Sequence, residues 1–81
     1  MFIPTEVNEM NGGIQKTYEF SNGYGASVIR HQGSYGFKKN LWELAVLSNG
    51  ELCYSTPITD DVIGHLTEDE VETILKQIEE L

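Results

Sequence analysis

The stretch KTYEFSNGYGASVIR, Lys16 to Arg30, decides the fold. Asn22-Gly23 stands between two alternating runs, the strongest short-range hairpin signal, because both residues tolerate positive φ. The loop length follows from where the apolar residues fall. A three-residue loop, Ser21-Asn22-Gly23 with Gly23 left-handed, sets Phe20 against Tyr24, Tyr18 against Ala26 and Lys16 against Val28. A two-residue loop puts Val28 opposite Thr17 and Ile29 opposite Lys16, scattering the apolar set over both faces. The three-residue register is therefore expected, with Ile14, Tyr18, Phe20, Tyr24, Ala26 and Val28 on one core face.

Ser-Asn-Gly recurs at 48–50 and predicts a second hairpin. Its first arm, LWELAVL at Leu41–Leu47, is almost continuously apolar, as expected of a central strand covered on both sides. Glu51–Ser55 returns as its partner, and because both faces carry apolar residues the register stays open. Pro57 ends this strand. Thr59-Asp60-Asp61-Val62-Ile63-Gly64 reads as one short helical turn, capped by Thr59 and stopped by Gly64.

Thr67-Glu68-Asp69-Glu70 is a capping box, with Leu66 and Val71 placed as a hydrophobic staple, so a helix begins at Glu68. Val71, Ile74, Leu75, Ile78 and Leu81 recur at helical spacing on one face, which must cover the sheet. The fold class is α+β: an antiparallel meander of three to four strands with a C-terminal amphipathic helix packed on one face. Residues 14–81 form the single domain. Residues 1–13 are set apart as a flexible N-terminal arm. Within it Phe2-Ile3-Pro4 is either a short edge strand or an arm on a neighbouring chain, and Asn11-Gly12-Gly13 is the joint.

At 81 residues the chain has room for one domain with a thin stability margin, which makes a homodimer contact an expectation to test. The single cysteine, Cys53, excludes an internal disulfide and fits a reducing compartment. No run approaches the roughly 18–20 apolar residues of a membrane span, so the chain is expected to be soluble and intracellular. Charge is unevenly placed. In residues 1–50 four acids balance Lys16, Arg30, Lys38 and Lys39, whereas residues 51–81 set nine acids against Lys76 alone and hold the whole net charge of -8. Direct nucleic-acid binding needs clustered Lys and Arg. The acidic half instead suits a protein partner with a basic surface.

Few residues carry chemistry. GSYGFK, Gly33–Lys38, has the look of a phosphate loop, but such loops feed a helix N-terminus and a strand follows here. The segment is a connector. It is long for one, and Tyr35 and Phe37 flanked by Lys38 and Lys39 make a contact surface unless the rings fold back onto the core. His31, Cys53 and His65 lack metal-ligand spacing, so no metal and no cofactor is expected. Asp60 and Asp61 are adjacent and could do acid-base work only if burial separates their pKa values. The acids at 68–70 are explained by the helix dipole. No nucleophile elbow or catalytic triad pattern is present, and no enzyme is expected. The residues assigned to partner binding are Tyr35, Phe37, Lys38, Lys39, Asp60, Asp61, Asp69, Glu72 and Glu79.

The runs YEFSNGYGASVIRHQGSYG, LWELAVL and ELCYSTPITDDVIGHLTEDEV resemble small proteins of uncharacterised role encoded by tailed bacteriophages. The resemblance covers about Lys16 to Leu81 and transfers no functional residue. It implies expression in the cytoplasm of a bacterial host. In that context an acidic accessory protein is expected either to bind a host protein, such as a defence nuclease or a transcription factor, as a DNA mimic through its C-terminal half, or to assemble with itself in a structural role.

Overall fold

A computed structural model describes residues Met1–Leu81. The chain forms β1 (Glu6–Met10), β2 (Gly13–Glu19), β3 (Tyr24–Arg30), β4 (Trp42–Ser48), β5 (Glu51–Leu52), β6 (Ile63–Leu66) and α1 (Glu68–Glu79). Strands β1 to β5 run as an antiparallel meander, and β6 pairs with β4 beside β5. The α+β class holds, with more strands than the three to four expected. No helix is long and apolar enough to cross a membrane.

The first hairpin takes the three-residue loop. Tyr18 pairs with Ala26 and Lys16 with Val28, Phe20 N donates to Tyr24 O at 2.8 Å, and Gly23 has φ +87°. Tyr18, Ala26 and Val28 are buried on the core face, and Ile14, Phe20 and Tyr24 pack at its margin. The second hairpin closes tightly: Ser48 pairs with Glu51, with Asn49 (φ +52°) and Gly50 (φ +84°) both left-handed, as a type I′ turn requires. Its return arm is shorter than expected and ends at Leu52, although Cys53 N still donates to Val46 O.

Two segments depart from the sequence reading. Glu6–Met10, assigned to the arm, is the first strand of the sheet, and Asn11 (φ +45°) with Gly12 (φ +74°) is a tight turn rather than a joint. The 59–64 segment is not helical. Thr59 Oγ1 accepts the Asp61 N–H at 3.1 Å and the Asp61 carboxylate accepts that of Val62 at 2.7 Å, a turn that serves its own backbone. Ile63 then enters β6, because the outer edge of β4 offers a ladder. Trp42 pairs with Leu66 and Leu44 with Ile63, so β6 spends three steps where β4 spends two, a bulge that leaves His65 at φ +57°.

Strand β4 is central, flanked by β3 on one edge and by β5 and β6 on the other. Its Trp42, Leu44 and Val46 meet Val71, Leu75 and Ile78 of α1, and Leu44, Val46, Leu75 and Ile78 are fully buried. The continuous apolar run predicts cover on both sides. Only the Trp42–Leu44–Val46 face lies against the helix, while Ala45 and Leu47, outside that cluster, are each buried to 8% exposure.

Both helix ends are closed by side chains. Glu70 N donates to Thr67 Oγ1 at 3.2 Å and Thr67 N to Glu70 Oε1 at 2.9 Å, completing the capping box. At the other end Asn22, from the first hairpin turn, donates through Nδ2 to the carbonyls of Ile78, Glu79 and Leu81 at 3.0–3.2 Å, and its Oδ1 accepts the Tyr24 N–H at 3.0 Å. Two substitutions test these ends by thermal unfolding. Thr67→Ala is expected to cost about 1 kcal/mol and to lower Tm by about 4–8 °C. Asn22→Asp keeps the acceptor for Tyr24 but turns a carboxylate toward helix C-terminal carbonyls, and is expected to cost about 1–2 kcal/mol. An unchanged Tm in the second variant would show that the turn does not hold the helix.

Candidate functional site

The connector between β3 and β4 folds into an ordered loop over β6. Ser34 closes it at the start, its N donating to His31 O and its Oγ accepting the His31 N–H. A 3-10 turn at Phe37–Lys39 follows, flanked by Gly36 (φ +89°) and Asn40 (φ +62°). Gln32 N donates to Asn11 O at 3.0 Å, and the Glu43 carboxylate on β4 accepts the Tyr35 N–H at 3.0 Å. Beneath the loop, Tyr35 stacks on His65 with ring centroids 6.5 Å apart. Gly64 makes this possible: a Cβ there would come within 2.6 Å of Tyr35 Cβ. The glycine that resembles a helix stop is thus a seat for an aromatic ring.

The loop residues expected to meet a partner are brought together. Tyr35 is 60% exposed, Lys38 and Lys39 are exposed, and no carboxylate lies within 4.0 Å of either lysine. These three, with His65, rim a cavity of about 390 Å³. Phe37 is half-buried and lines both this cavity and a second cleft, whose wall also includes Arg30.

The acidic residues are less unified. Asp60 and Asp61 are exposed between β5 and β6, and no hydrogen bond joins them to the helix acids. Asp69 and Glu79 are exposed on α1, with Glu79 3.6 Å from Lys76. Glu72 is half-buried and already used: it accepts the Phe2 N–H at 3.0 Å and lies 3.6 Å from the Met1 amine, while Phe2 packs edge-on against Phe20 at 5.5 Å. Glu68 accepts the Trp42 indole N–H at 3.2 Å. Burial, aided by Glu72 and Glu68, pushes the Tyr18 hydroxyl above its ordinary pKa.

No three His, Cys, Asp or Glu residues converge as a metal site would require. Cys53 packs half-buried at the core margin, and the backbone and hydroxyl of Ser55 hold its thiol below the usual range.

A pair of cations on one aromatic ring is not evident from the sequence alone. Arg30 lies 4.2 Å and Lys16 4.8 Å from the centroid of the buried Trp42 ring. A signal was present, since the expected register sets Lys16 between Ile14 and Tyr18 on the core face. No protein family, curated protein or solved structure matches the chain.

The seat beneath Tyr35 can be tested directly. Gly64→Ala is expected to destabilise the fold by about 1–3 kcal/mol through overpacking. Amide exchange should speed up across residues 34–41 more than in β2 and β3. Uniform acceleration would show that the loop does not depend on this contact.

Proposed function

We propose that the protein is an accessory protein of the phage type that its sequence resembles, acting in the bacterial cytoplasm by binding another protein with a basic surface. The reading rests on one observation, the segregation of charge. Glu68, Asp69, Glu70, Glu79 and Glu80 are all exposed on α1 or at its end, with Lys76 as the only helix cation, while the other four Lys and Arg residues lie on β2, β3 and the 31–41 loop. Exposed acids on a rigid helix present charge at fixed spacing, which favours a basic groove and speeds encounter with it. The DNA-binding groove of a host nuclease or transcription factor has this character.

Asp69 and Glu79 carry the contact in this reading, with Asp60 and Asp61 outside the helix as secondary acids. Glu72 is occupied by the N-terminal segment and contributes field rather than contact. Tyr35, Lys38 and Lys39 form a second, aromatic and basic contact surface. No catalytic step belongs to this activity. The open outer edge of β1 supports a second reading, a homo-oligomer joined through that edge, although Glu6 and Glu9 on the strand oppose like-to-like pairing.

The test is capture from bacterial lysate at about 0.05 and about 0.5 M salt, conditions that differ severalfold in screening length. The wild-type chain should retain a basic host protein at low salt and release it at high salt. A variant carrying Asp69→Asn, Glu79→Gln and Glu80→Gln should lose it at both. Equal retention by the variant, or an empty capture with a stable dimer in light scattering, would overturn the reading in favour of self-assembly.

A further inference from the structure

Around Trp42 the chain holds two cations that pair with none of its carboxylates within 4.0 Å. Arg30 and Lys16 both approach the ring within 5 Å, yet the only ion pairs in the molecule join Met1 to Glu72 and Lys76 to Glu79 and Glu80. Lys16 shares a crevice with Glu68, Asp69 and Glu72 without pairing with any of them, and Glu68 is engaged by the Trp42 indole. The imbalance is unusual, because 13 acids are available to five Lys and Arg.

Arg30 faces a cleft. Between the β1–β2 turn and the 31–41 loop lies an open space of about 720 Å³, lined by Arg30, Phe37, Asn11, Asn40 and Glu9 among others. Its size falls in the range of small-molecule sites. The guanidinium is held against an aromatic face on one side, and none of its N–H groups is buried without a partner, so its unpaired donors open to solvent. A guanidinium fixed in this way has lost its rotamer freedom before a ligand arrives, and its planar fork matches an oxyanion bidentately. Phe37 supplies an apolar wall to the same cleft. The bond from Gln32 N to Asn11 O ties the two loops that frame it.

We propose that this cleft binds a small organic oxyanion, a phosphate or carboxylate on an aromatic body, with Arg30 gripping the anionic group. Lys16, against the same ring but outside the cleft lining, adds long-range positive potential, and Phe37 packs against the body of the ligand. Glu9, the one carboxylate lining the cleft, opposes the ligand's charge. It stands opposite Ile14, which pairs with Arg30, so the three form one row across the sheet.

The cleft lining contains no residue of the acidic helix, and the proposal does not rest on the protein-binding reading. The test is a heteronuclear NMR titration that follows the indole N–H of Trp42, the only tryptophan, and the side chain of Arg30. Phenyl phosphate, benzoate and inorganic phosphate are the probes, each carried to about 10 mM, which detects even millimolar affinity.

Saturable shifts with phenyl phosphate or benzoate are expected, and the tighter of the two identifies the oxyanion. Arg30→Gln should weaken that affinity at least about tenfold, the loss of a bidentate charged contact. Glu9→Gln, an exposed change on an edge strand that leaves the core intact, should strengthen it. Inorganic phosphate binding as tightly as phenyl phosphate would overturn the role of Phe37. An absence of shifts with all three probes, or shifts unchanged in both variants, would overturn the site itself.

Discussion

The bond that the rest of the structure depends on is made by one turn residue. Asn22 completes the β2–β3 hairpin through its Oδ1 and closes the C-terminus of α1 through its Nδ2. Two elements separated by about fifty-six residues of sequence are thereby fixed to a common point. Helix C-termini expose carbonyls that need donors, and here the donor comes from the sheet rather than from a glycine cap or solvent. The direction of α1 over β3 and β4 follows: the capping box fixes where the helix begins, and Asn22 fixes where it ends. Val71, Leu75 and Ile78 are then delivered to Trp42, Leu44 and Val46 without further adjustment.

How much of this was legible in the sequence depends on how local the cause was. The first hairpin register was readable because a one-residue slip would have turned Val28 away from Tyr18 and Ala26, and the capping box was readable because its partners are three residues apart. Strand β6 was not readable. Thr59 to Gly64 has the composition of a capped turn, and its last two residues, Ile63 and Gly64, become strand because β4 presents a free edge and Tyr35 occupies the space above Gly64. Asn11-Gly12 carried the same signal as the other two turns. The short polar EVNEM run gave no core face to support a strand, and β1 is in fact exposed along nearly its whole length.

The candidate sites divide along the same line. The Tyr35–Lys39 surface was visible as an overlong connector rich in aromatics and lysine, although its attachment to His65 was not. The role of Glu72 was hidden, because the segment it anchors lies 70 residues away. The pair of cations on Trp42 was hidden for a different reason: charged residues on a core face are read as interruptions, and only a structure shows that an aromatic ring receives them.

A charged molecule of this size gains stability when its unlike charges pair, and this one leaves most of them unpaired. Glu68, Asp69, Glu70 and Glu79 are exposed on α1, where the dipole favours those of its first turn, while Lys16 and Arg30 lie against an aromatic face. Pairing across the molecule would require long side chains to bridge the sheet, at an entropic cost that an exposed ion pair rarely recovers. The two charge regions therefore stand apart, and in the roles proposed for them the helix would meet a basic surface and the Arg30 cleft an anion. Salt would weaken the first through screening of exposed charge, and the second less, because Arg30 is half-buried with its guanidinium against Trp42. That difference in salt response is the physical distinction between the two regions.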